Sequence, residues 1–315
     1  SEAHGGLSLH DPTPRLDMNN IIGNVGLAMG GMTPSAINVV ESFALASTGN
    51  GIDFGDLTAT ASQGGGCGDV VRGLCMSGER AGSGSANIDV VHFASKGNTS
   101  NFGSSSVARR RGAGLSNNTR GVLAGGHTPT KSNVIDFVTI ATAGDASDFG
   151  DLAAATTQAG GIASPTRGVT GGGSTGSDIN VIQYITIAST GDAADFGDLT
   201  AARSNIASSG SITRGLFAGA YPVGNIIDFI TIASTGDASD FGDLTVSRGG
   251  GCNGGALSNK VRGLFAGGYA YPADPANSNV IDFVTIASTG NATDSGDLTA
   301  VKQNLTTASN GHGGL

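Results

Sequence analysis

The chain has 315 residues, of which 54 are glycine and none is tryptophan, while 38% are hydrophobic and 13% are charged. The hydrophobic fraction is too high for a disordered chain, and frequent glycine beside valine, isoleucine and threonine favours short strands joined by tight turns. The net charge of −9 argues against a general nucleic-acid-binding protein, which needs a basic surface to neutralise phosphates.

The remaining compositional signals exclude further classes of protein. The three cysteines, Cys67, Cys75 and Cys252, are too few and too scattered for a disulfide framework, and they form no CxxC metal pair. The first ten residues have neither a basic segment nor an apolar one, so we expect no signal peptide there. No apolar run reaches the roughly 18 residues of a membrane-spanning helix, so we expect no membrane insertion.

One unit recurs along the chain and defines its organisation. Asn24-Val25-Gly26 begins the first unit, and an Arg-Gly pair begins each of the others at intervals of 47 or 48 residues. The pairs start at Arg72, Arg120, Arg167, Arg214 and Arg262. The units comprise residues 24–71, 72–119, 120–166, 167–213, 214–261 and 262–315, preceded by an N-terminal extension of residues 1–23.

Each unit predicts four short strands, which we name a to d. Strand b follows the Arg-Gly pair, strand c is an apolar run such as NVIDFVTIAS from Asn133, and strand d passes through DFGDL. Strand a is the glycine- and serine-rich stretch before the next Arg-Gly pair, such as SNIASSGS from Ser204. Helices are not expected, because glycine is too frequent and no apolar stripe of period 3.6 persists.

Four strands repeated over 40 to 50 residues are typical of a propeller blade. We therefore predict an all-β fold in which residues 1–315 form a single six-bladed β-propeller with four-stranded antiparallel blades. The C-terminal segment LTTASNGHGGL resembles a strand a with no strand b after it. This segment should complete blade one, because closing the ring removes exposed sheet edges.

The repeat resembles the kelch family over nearly the whole chain. The shared features are a glycine pair after strand b, as at Gly125-Gly126, and an aromatic residue in strand d, as at Phe149. Kelch repeats usually carry tryptophan at that position, whereas this chain has phenylalanine and, in the sixth unit, Ser295. The phrase TIASTGDASDFGDLT and the ending NGHGGL are similar to the kelch-like virion proteins of tailed phages, particularly marine and cyanobacterial ones. The resemblance implies a virion structural or appendage protein and carries over no site residues.

An acidic turn is the most frequent chemical motif of the repeat. Its carboxylates lie three residues apart in the third, fourth and fifth units, at Asp145, Asp148, Asp151, Asp192, Asp195, Asp198, Asp237, Asp240 and Asp243. Clustered carboxylates suit Ca²⁺, but the spacing is not that of an EF-hand and no glutamate closes the loop. Alternatively, these side chains cap the amides of their own turn. The second unit favours capping, since it has Asn98, Asn101 and Ser104 instead.

The repeated Arg-Gly arginines allow two interpretations. They could form a ring that binds an anionic ligand, or each could pair with an acid of strand c as a structural fastener. The acids available are Asp89, Asp136, Asp228 and Asp282, and the fourth unit has Gln183 at the equivalent position. We favour the structural pairing.

Two groups of residues are candidates for recognition. The second unit is basic within an acidic chain, so Arg109, Arg110 and Arg111 could dock a neighbouring subunit. Alternatively, these arginines belong to a solvated charged face, which would have the same sequence pattern. The loops between strands b and c vary most and should share one face of the ring. They carry His127, Tyr221, Tyr269 and Tyr271 as candidates for binding, since aromatic loop residues on a rigid scaffold often form recognition sites.

Catalysis has little support in the sequence. The five histidines are neither paired nor repeated, and no nucleophile-elbow, zinc-protease or P-loop motif is present. We predict a non-enzymatic protein with no catalytic residues and no cofactor, apart from the calcium hypothesis.

The function expected is that of a phage virion component, located in the virion and bound to other virion proteins, to copies of itself or to host-surface glycan. The alternative is a lectin-like propeller that is secreted or lies at a cell surface; an enzyme is a third, weaker hypothesis. Nucleic acid is not an expected partner.

Overall fold

The computed structural model describes residues 23–220, 224–249, 257–270 and 277–315. Within these ranges the chain forms antiparallel sheets arranged as the six blades of a propeller, which confirms the predicted fold. The described part of the chain holds no helix of the length and apolar character needed to cross a membrane.

Strands b and a lie towards the propeller axis. The b strands are β1 (Val25–Met29), β5 (Arg72–Met76), β10 (Arg120–His127), β14 (Arg167–Gly171), β18 (Arg214–Ala218) and β21 (Arg262–Tyr269). The a strands are β4 (Gly65–Gly68), β9 (Ala113–Ser116), β13 (Gly160–Ala163), β17 (Ala207–Gly210) and β24 (Thr306–Ser309). Four-residue a strands and mostly five-residue b strands are buried along almost their whole length, because neighbouring blades cover both faces.

Strands c and d form the outer half of each blade. The c strands are β2 (Ile37–Ala44), β7 (Ser83–His92), β11 (Lys131–Thr139), β15 (Val181–Thr186), β19 (Ile226–Thr231) and β22 (Asn277–Thr285). The d strands are β3 (Ile52–Ala61), β8 (Ser100–Arg109), β12 (Ser147–Asp151), β16 (Ala194–Asp198), β20 (Ser239–Asp243) and β23 (Thr293–Asp297). Blade two has an additional short strand, β6 (Glu79–Arg80), which pairs with β7.

The C-terminal strand closes the ring as predicted. β24 pairs antiparallel with β1, in a register that runs from Gly26 opposite Ser309 to Met29 opposite Thr306. Blade one is therefore built from both ends of the propeller sequence. In blade six the described residues form strands b, c and d, and Ser258 makes an isolated bridge to Gly263 at the position of strand a.

The hydrophobic core consists of layers between successive blades. The phenylalanine of strand d is buried in five blades, and in three of these it packs edge-to-face on the aromatic residue of strand c. In blade five, for example, the ring centroids of Phe229 and Phe241 are 6.0 Å apart at an interplanar angle of 76°. In blade six Ser295 is buried at this position.

The a strands approach each other so closely around the axis that side chains are excluded at Gly66 and Gly114. A Cβ atom on Gly66 would lie 1.8 Å from the carbonyl oxygen of Thr307, and one on Gly114 would lie 2.3 Å from the carbonyl oxygen of Gly66. The glycine- and serine-rich composition of strand a is therefore a packing requirement of the narrow centre.

The acidic turn joins neighbouring blades. The Asp145 carboxylate accepts a hydrogen bond from the amide of Ser104 in the preceding blade (2.9 Å), and Asp192 and Asp237 repeat this contact with the amides of Asp151 and Asp198. Asn50, Asn98 and Asn291 make the same bond in the other three interfaces. The expectation that these first residues cap their own turns is thus wrong: each caps strand d of its neighbour.

The Arg-Gly arginines do not pair with the strand-c acids, so that prediction is also wrong. The Arg120 guanidinium lies 4.4 Å from the ring centroid of Phe137 in its own blade, and its Nη1 donates to the carbonyl oxygen of Ile187 in the next blade (2.7 Å). Equivalent stacking is seen for Arg167, Arg214 and Arg262. The aromatic face and the carbonyl satisfy the cation without an acid.

Four strand-c acids pair instead with cations that lie at the end of strand d of the preceding blade or shortly after it. Arg109 binds Asp136, Arg203 binds Asp228, Arg248 binds Asp282 and Lys302 binds Glu41, at distances of 2.6 to 3.0 Å between nitrogen and oxygen. Each cation stands seven residues after the strand-d aromatic position. We call these contacts the buried ion pairs.

The two remaining interfaces keep the charge balanced in other ways. Between blades one and two, the cation comes from Arg80 of blade two, which binds Asp89 at 2.7 Å. Between blades three and four, Thr156 stands at the position of the cation, and the acid is replaced by Gln183, whose Oε1 accepts from the amide of Ala153 (2.8 Å). In strand c, a buried carboxylate is thus present only where a cation reaches it, as the cost of burying an unpaired charge requires.

Candidate functional site

The b–c hairpins and the d–a connections lie on the same face of the propeller. Isolated bridges join a d–a connection to the next hairpin at five interfaces, between Met32 and Gln303, Ser62 and Glu79, Arg110 and His127, Thr157 and Ser174, and Gly249 and Tyr269. This face, which we call the loop face, is therefore joined from blade to blade at these five interfaces.

A ring of polar residues surrounds the axis on the loop face. It consists of Gln63, Arg111, Gln158, Asn205 and Asn304, each placed nine residues after the aromatic position of strand d. All five have left-handed backbone conformations, with φ between 55° and 64°. Such conformations are strained for residues other than glycine and asparagine and cluster at functional sites. We call these residues the axial ring.

Hydrogen bonds hold the axial ring in place. The backbone amide of Gln63 donates to the carbonyl oxygen of Asn304 (2.9 Å), that of Arg111 to Gln63 (2.7 Å) and that of Gln158 to Arg111 (2.9 Å). Two side-chain bonds add to this, from Arg111 Nε to Gln63 Oε1 (2.9 Å) and from Gln158 Nε2 to Asn205 Oδ1 (2.7 Å). The ring is consequently a preformed polar collar.

A cavity of about 470 Å³ opens above this collar. Its volume lies within the range of about 300 to 1,000 Å³ typical of small-molecule sites. Four members of the axial ring line it, together with Ser204 and Gln303 from d–a connections and Asp178 and Tyr269 from b–c hairpins. The lining thus combines side-chain amides, a hydroxyl, an aromatic residue and one charge of each sign.

Arg111 is the one cation lining this cavity among the described residues. Its Nε bonds to Gln63, and its two terminal nitrogens make no hydrogen bond or ion pair with any described residue. Burial lowers the pKa of Arg111 and the neighbouring charge of Arg110 lowers it further, while the charge of Glu79 raises it. The pKa of His127 is lowered mainly by burial and then by Arg110, Arg111 and Lys131. This sector of the loop face therefore has an excess of positive charge.

The C-terminal residues close the axis at the opposite face. His312 is buried there, and its Nε2 donates to the carbonyl oxygen of Gly68 (2.9 Å), while its Nδ1 accepts from the amide of Gly314 (3.1 Å). A Cβ atom on Gly314 would lie 1.8 Å from the carbonyl oxygen of Ser116, so the segment fits only with glycine. Burial lowers the pKa of His312 to about 4, which keeps the imidazole neutral.

A second cavity, of about 550 Å³, lies on this opposite face beside Gly23 and Leu315. Two of its asparagines bind the surrounding backbone: Asn259 accepts from the amides of Val261 and Arg262, and Asn310 accepts from the amide of Val25. We therefore place the candidate site in the cavity of the loop face.

The structure brings together two groups of residues that the sequence analysis treated separately. Tyr269, a binding candidate, and Arg111, a docking candidate, line the same cavity. His127 lies beside it, with its backbone paired to Arg110. The other two binding candidates, Tyr221 and Tyr271, lie outside the described residues.

The three docking arginines have three different environments. Arg109 is fully buried in its ion pair with Asp136, so it cannot serve as a docking residue and that prediction is wrong. Arg110 pairs with Glu79, and only Arg111 reaches the cavity. Their adjacency in sequence therefore did not indicate a common surface.

The nine carboxylates proposed for calcium are spread along the outer strands and turns. Asp145, Asp192 and Asp237 each bind an amide of the preceding blade. Within the described ranges, no three side chains of His, Cys, Asp or Glu converge as a metal site would require. The axial ring, by contrast, was missed, although a polar residue nine positions after the aromatic position of strand d is visible in five units.

A comparison of the sequence with known protein families finds no family that matches the chain, and a comparison with curated proteins finds no similar sequence. The structure therefore defines the class of the protein, a six-bladed β-propeller with one polar axial cavity described on its loop face.

Proposed function

We propose that this chain is a structural and binding protein of a tailed-phage virion, in the role of a capsid decoration, tail or fibre component. The sequence support is the resemblance of TIASTGDASDFGDLT and NGHGGL to kelch-like virion proteins. The structural support is a ring in which two contacts recur at all six interfaces. One is the acidic-turn bond, and the other is a bond from the backbone amide four residues after the strand-d aromatic position to the polar side chain of strand c in the next blade. Such a ring is a rigid scaffold suited to display on a particle.

The loop face is the part of this scaffold that we assign to recognition. One end of the axis is closed by the buried C-terminal residues, whereas the other carries the cavity with its preformed collar. Display of many copies on a particle would allow weak single-site binding to host-surface glycan to become effective through avidity. The proposal includes no catalytic step.

The experiment that tests the proposal is immunogold electron microscopy with antibody to this protein on purified phage particles from the source sample. Gold at the capsid or tail supports a virion component, and its position distinguishes decoration from receptor binding. Particles without gold, in preparations where cell surfaces are labelled, would overturn the proposal.

A lectin-like propeller, secreted or located at a cell surface, is the second candidate. The observation that favours it is the cavity lining, in which Gln158, Asn205, Gln303 and Tyr269 supply amides and an aromatic surface. Gold on cell surfaces or in the culture medium, and not on particles, would favour this candidate.

A further inference from the structure

Among the five described members of the axial ring, one departs from the pattern of the others. Where the other described members of the axial ring have amide side chains, the second unit has Arg111. The first and third units have Gln63 and Gln158 there with the same left-handed backbone, so neither the fold nor the collar requires an arginine. Because the repeat does not require a charged residue at this position of the cavity, the arginine points to the binding of a ligand.

The Arg111 guanidinium is positioned to bind an anion. Its Nε–H bond to Gln63 fixes the plane of the group, and the terminal nitrogens have no partner among the described residues. A guanidinium with two unengaged nitrogens matches the two oxygens of a carboxylate.

The remaining lining restricts the kind of anion. Asp178 is exposed at the cavity and disfavours a doubly charged phosphate, whereas a single carboxylate can be placed on Arg111. Side-chain amides both donate and accept hydrogen bonds, so Gln158, Asn205 and Gln303 suit a ligand rich in hydroxyl groups. Tyr269 adds an aromatic surface of the type that packs on sugar rings.

We propose that the axial cavity binds a carboxylate-bearing saccharide, with the carboxylate on Arg111 and the hydroxyl groups on the amides of the collar. This inference deepens the proposed function and rests on the glycan-binding part of it. The volume of about 470 Å³ accommodates a ligand of a few sugar units.

The test is isothermal titration calorimetry of the full chain with sialyllactose, a trisaccharide with a single carboxylate, and with its methyl ester, a probe of similar size without the charge. The variant is Arg111→Gln, which gives the ring the residue that it already has at positions 63 and 158. The control is Lys131→Gln, which removes a positive charge from the same sector outside the cavity lining. Circular dichroism verifies that both variants are folded.

We expect sialyllactose to bind more tightly than its ester, and Arg111→Gln to weaken that binding about 10- to 100-fold, the loss of a charge-assisted contact. Lys131→Gln should change it less than about 3-fold, as expected for a screened charge. Undetectable binding, equal binding of acid and ester, or equal loss in both variants would overturn the inference. Gold labelling of particles is independent of these outcomes, so the virion proposal can stand when the saccharide inference fails.

Discussion

The buried ion pair of Arg203 and Asp228 permits a quantitative test of how the blades are held together. The side chains are 4% and 0% exposed, and Asp228 Oδ2 lies 3.0 Å from Arg203 Nη2. Asp228 also accepts from the hydroxyl (2.7 Å) and the amide (3.0 Å) of Thr200. Burial lowers the pKa of Arg203 while Asp228 raises it, so the pair offsets the desolvation of the cation.

We expect Arg203→Thr alone to destabilise the protein by about 3 to 5 kcal/mol, because it leaves the Asp228 carboxylate buried without its cation. Asp228→Gln alone should cost a similar amount, since it leaves the Arg203 guanidinium buried without its carboxylate. The double variant reproduces the neutral pair Thr156 and Gln183 that the chain already uses between blades three and four. It should lie within about 1 to 2 kcal/mol of the wild type, because neutral replacement of a buried pair is often tolerated.

The assay is equilibrium unfolding in guanidinium chloride followed by far-ultraviolet circular dichroism, since the chain has no tryptophan to report by fluorescence. Comparable m-values across the four proteins are required before the free energies are compared. Single variants that each cost less than about 1 kcal/mol, or a double variant whose cost equals their sum, would refute the reasoning.

Three further predictions concern the core, the axis and the closed end of the ring. Phe241→Ala should cost about 3 to 5 kcal/mol in chemical unfolding, as truncation of a large buried side chain does, and a cost below about 1 kcal/mol would show that this ring does not support the core. Gly114→Ala should destabilise the protein strongly, because the added Cβ would lie 2.3 Å from a carbonyl oxygen. Gly144→Ala is the matched control, because no atom lies within 4 Å of the added Cβ. Equal melting temperatures of the two variants would contradict the packing argument. Because the folded pKa of His312 is about 4, below the ordinary value of 6.5, its stabilising contribution of about 3 kcal/mol should be complete above pH 6.5 and lost as the pH falls towards 4. His312→Gln should flatten this part of the stability profile measured by denaturation at several pH values, and an unchanged slope would rule the imidazole out as its source.

The acidic turn shows how a repeated motif can be recognised without its role being visible. The sequence located the Asp and Asn residues in every unit, and their spacing was consistent with capping of a turn. Asp145 and Ser104 are 41 residues apart, and they meet only because blades lie side by side. The partner of the cap belongs to the neighbour, which no local pattern can reveal.

The three consecutive arginines show more clearly that a sequence pattern does not reveal the partners of a residue. Arg109, Arg110 and Arg111 are consecutive, yet one lies in a buried ion pair, one pairs with Glu79 and one lines the cavity. A strand alternates the direction of its side chains, and the change to a left-handed backbone at Arg111 redirects the chain towards the axis. Charge counts along the chain could not distinguish these environments.

The sequence by itself determined the number of blades, the order of strands a to d in each blade and the closure of blade one by the C-terminal strand. It could do so because each of these is encoded locally, by a period of 47 or 48 residues, by alternating strand and turn composition, and by an a strand left without its b strand. Only the tertiary structure decided which acid meets which cation and that Arg111 and Tyr269 share a cavity. These contacts join different blades, so their partners are set by the packing around the axis and not by distance along the chain.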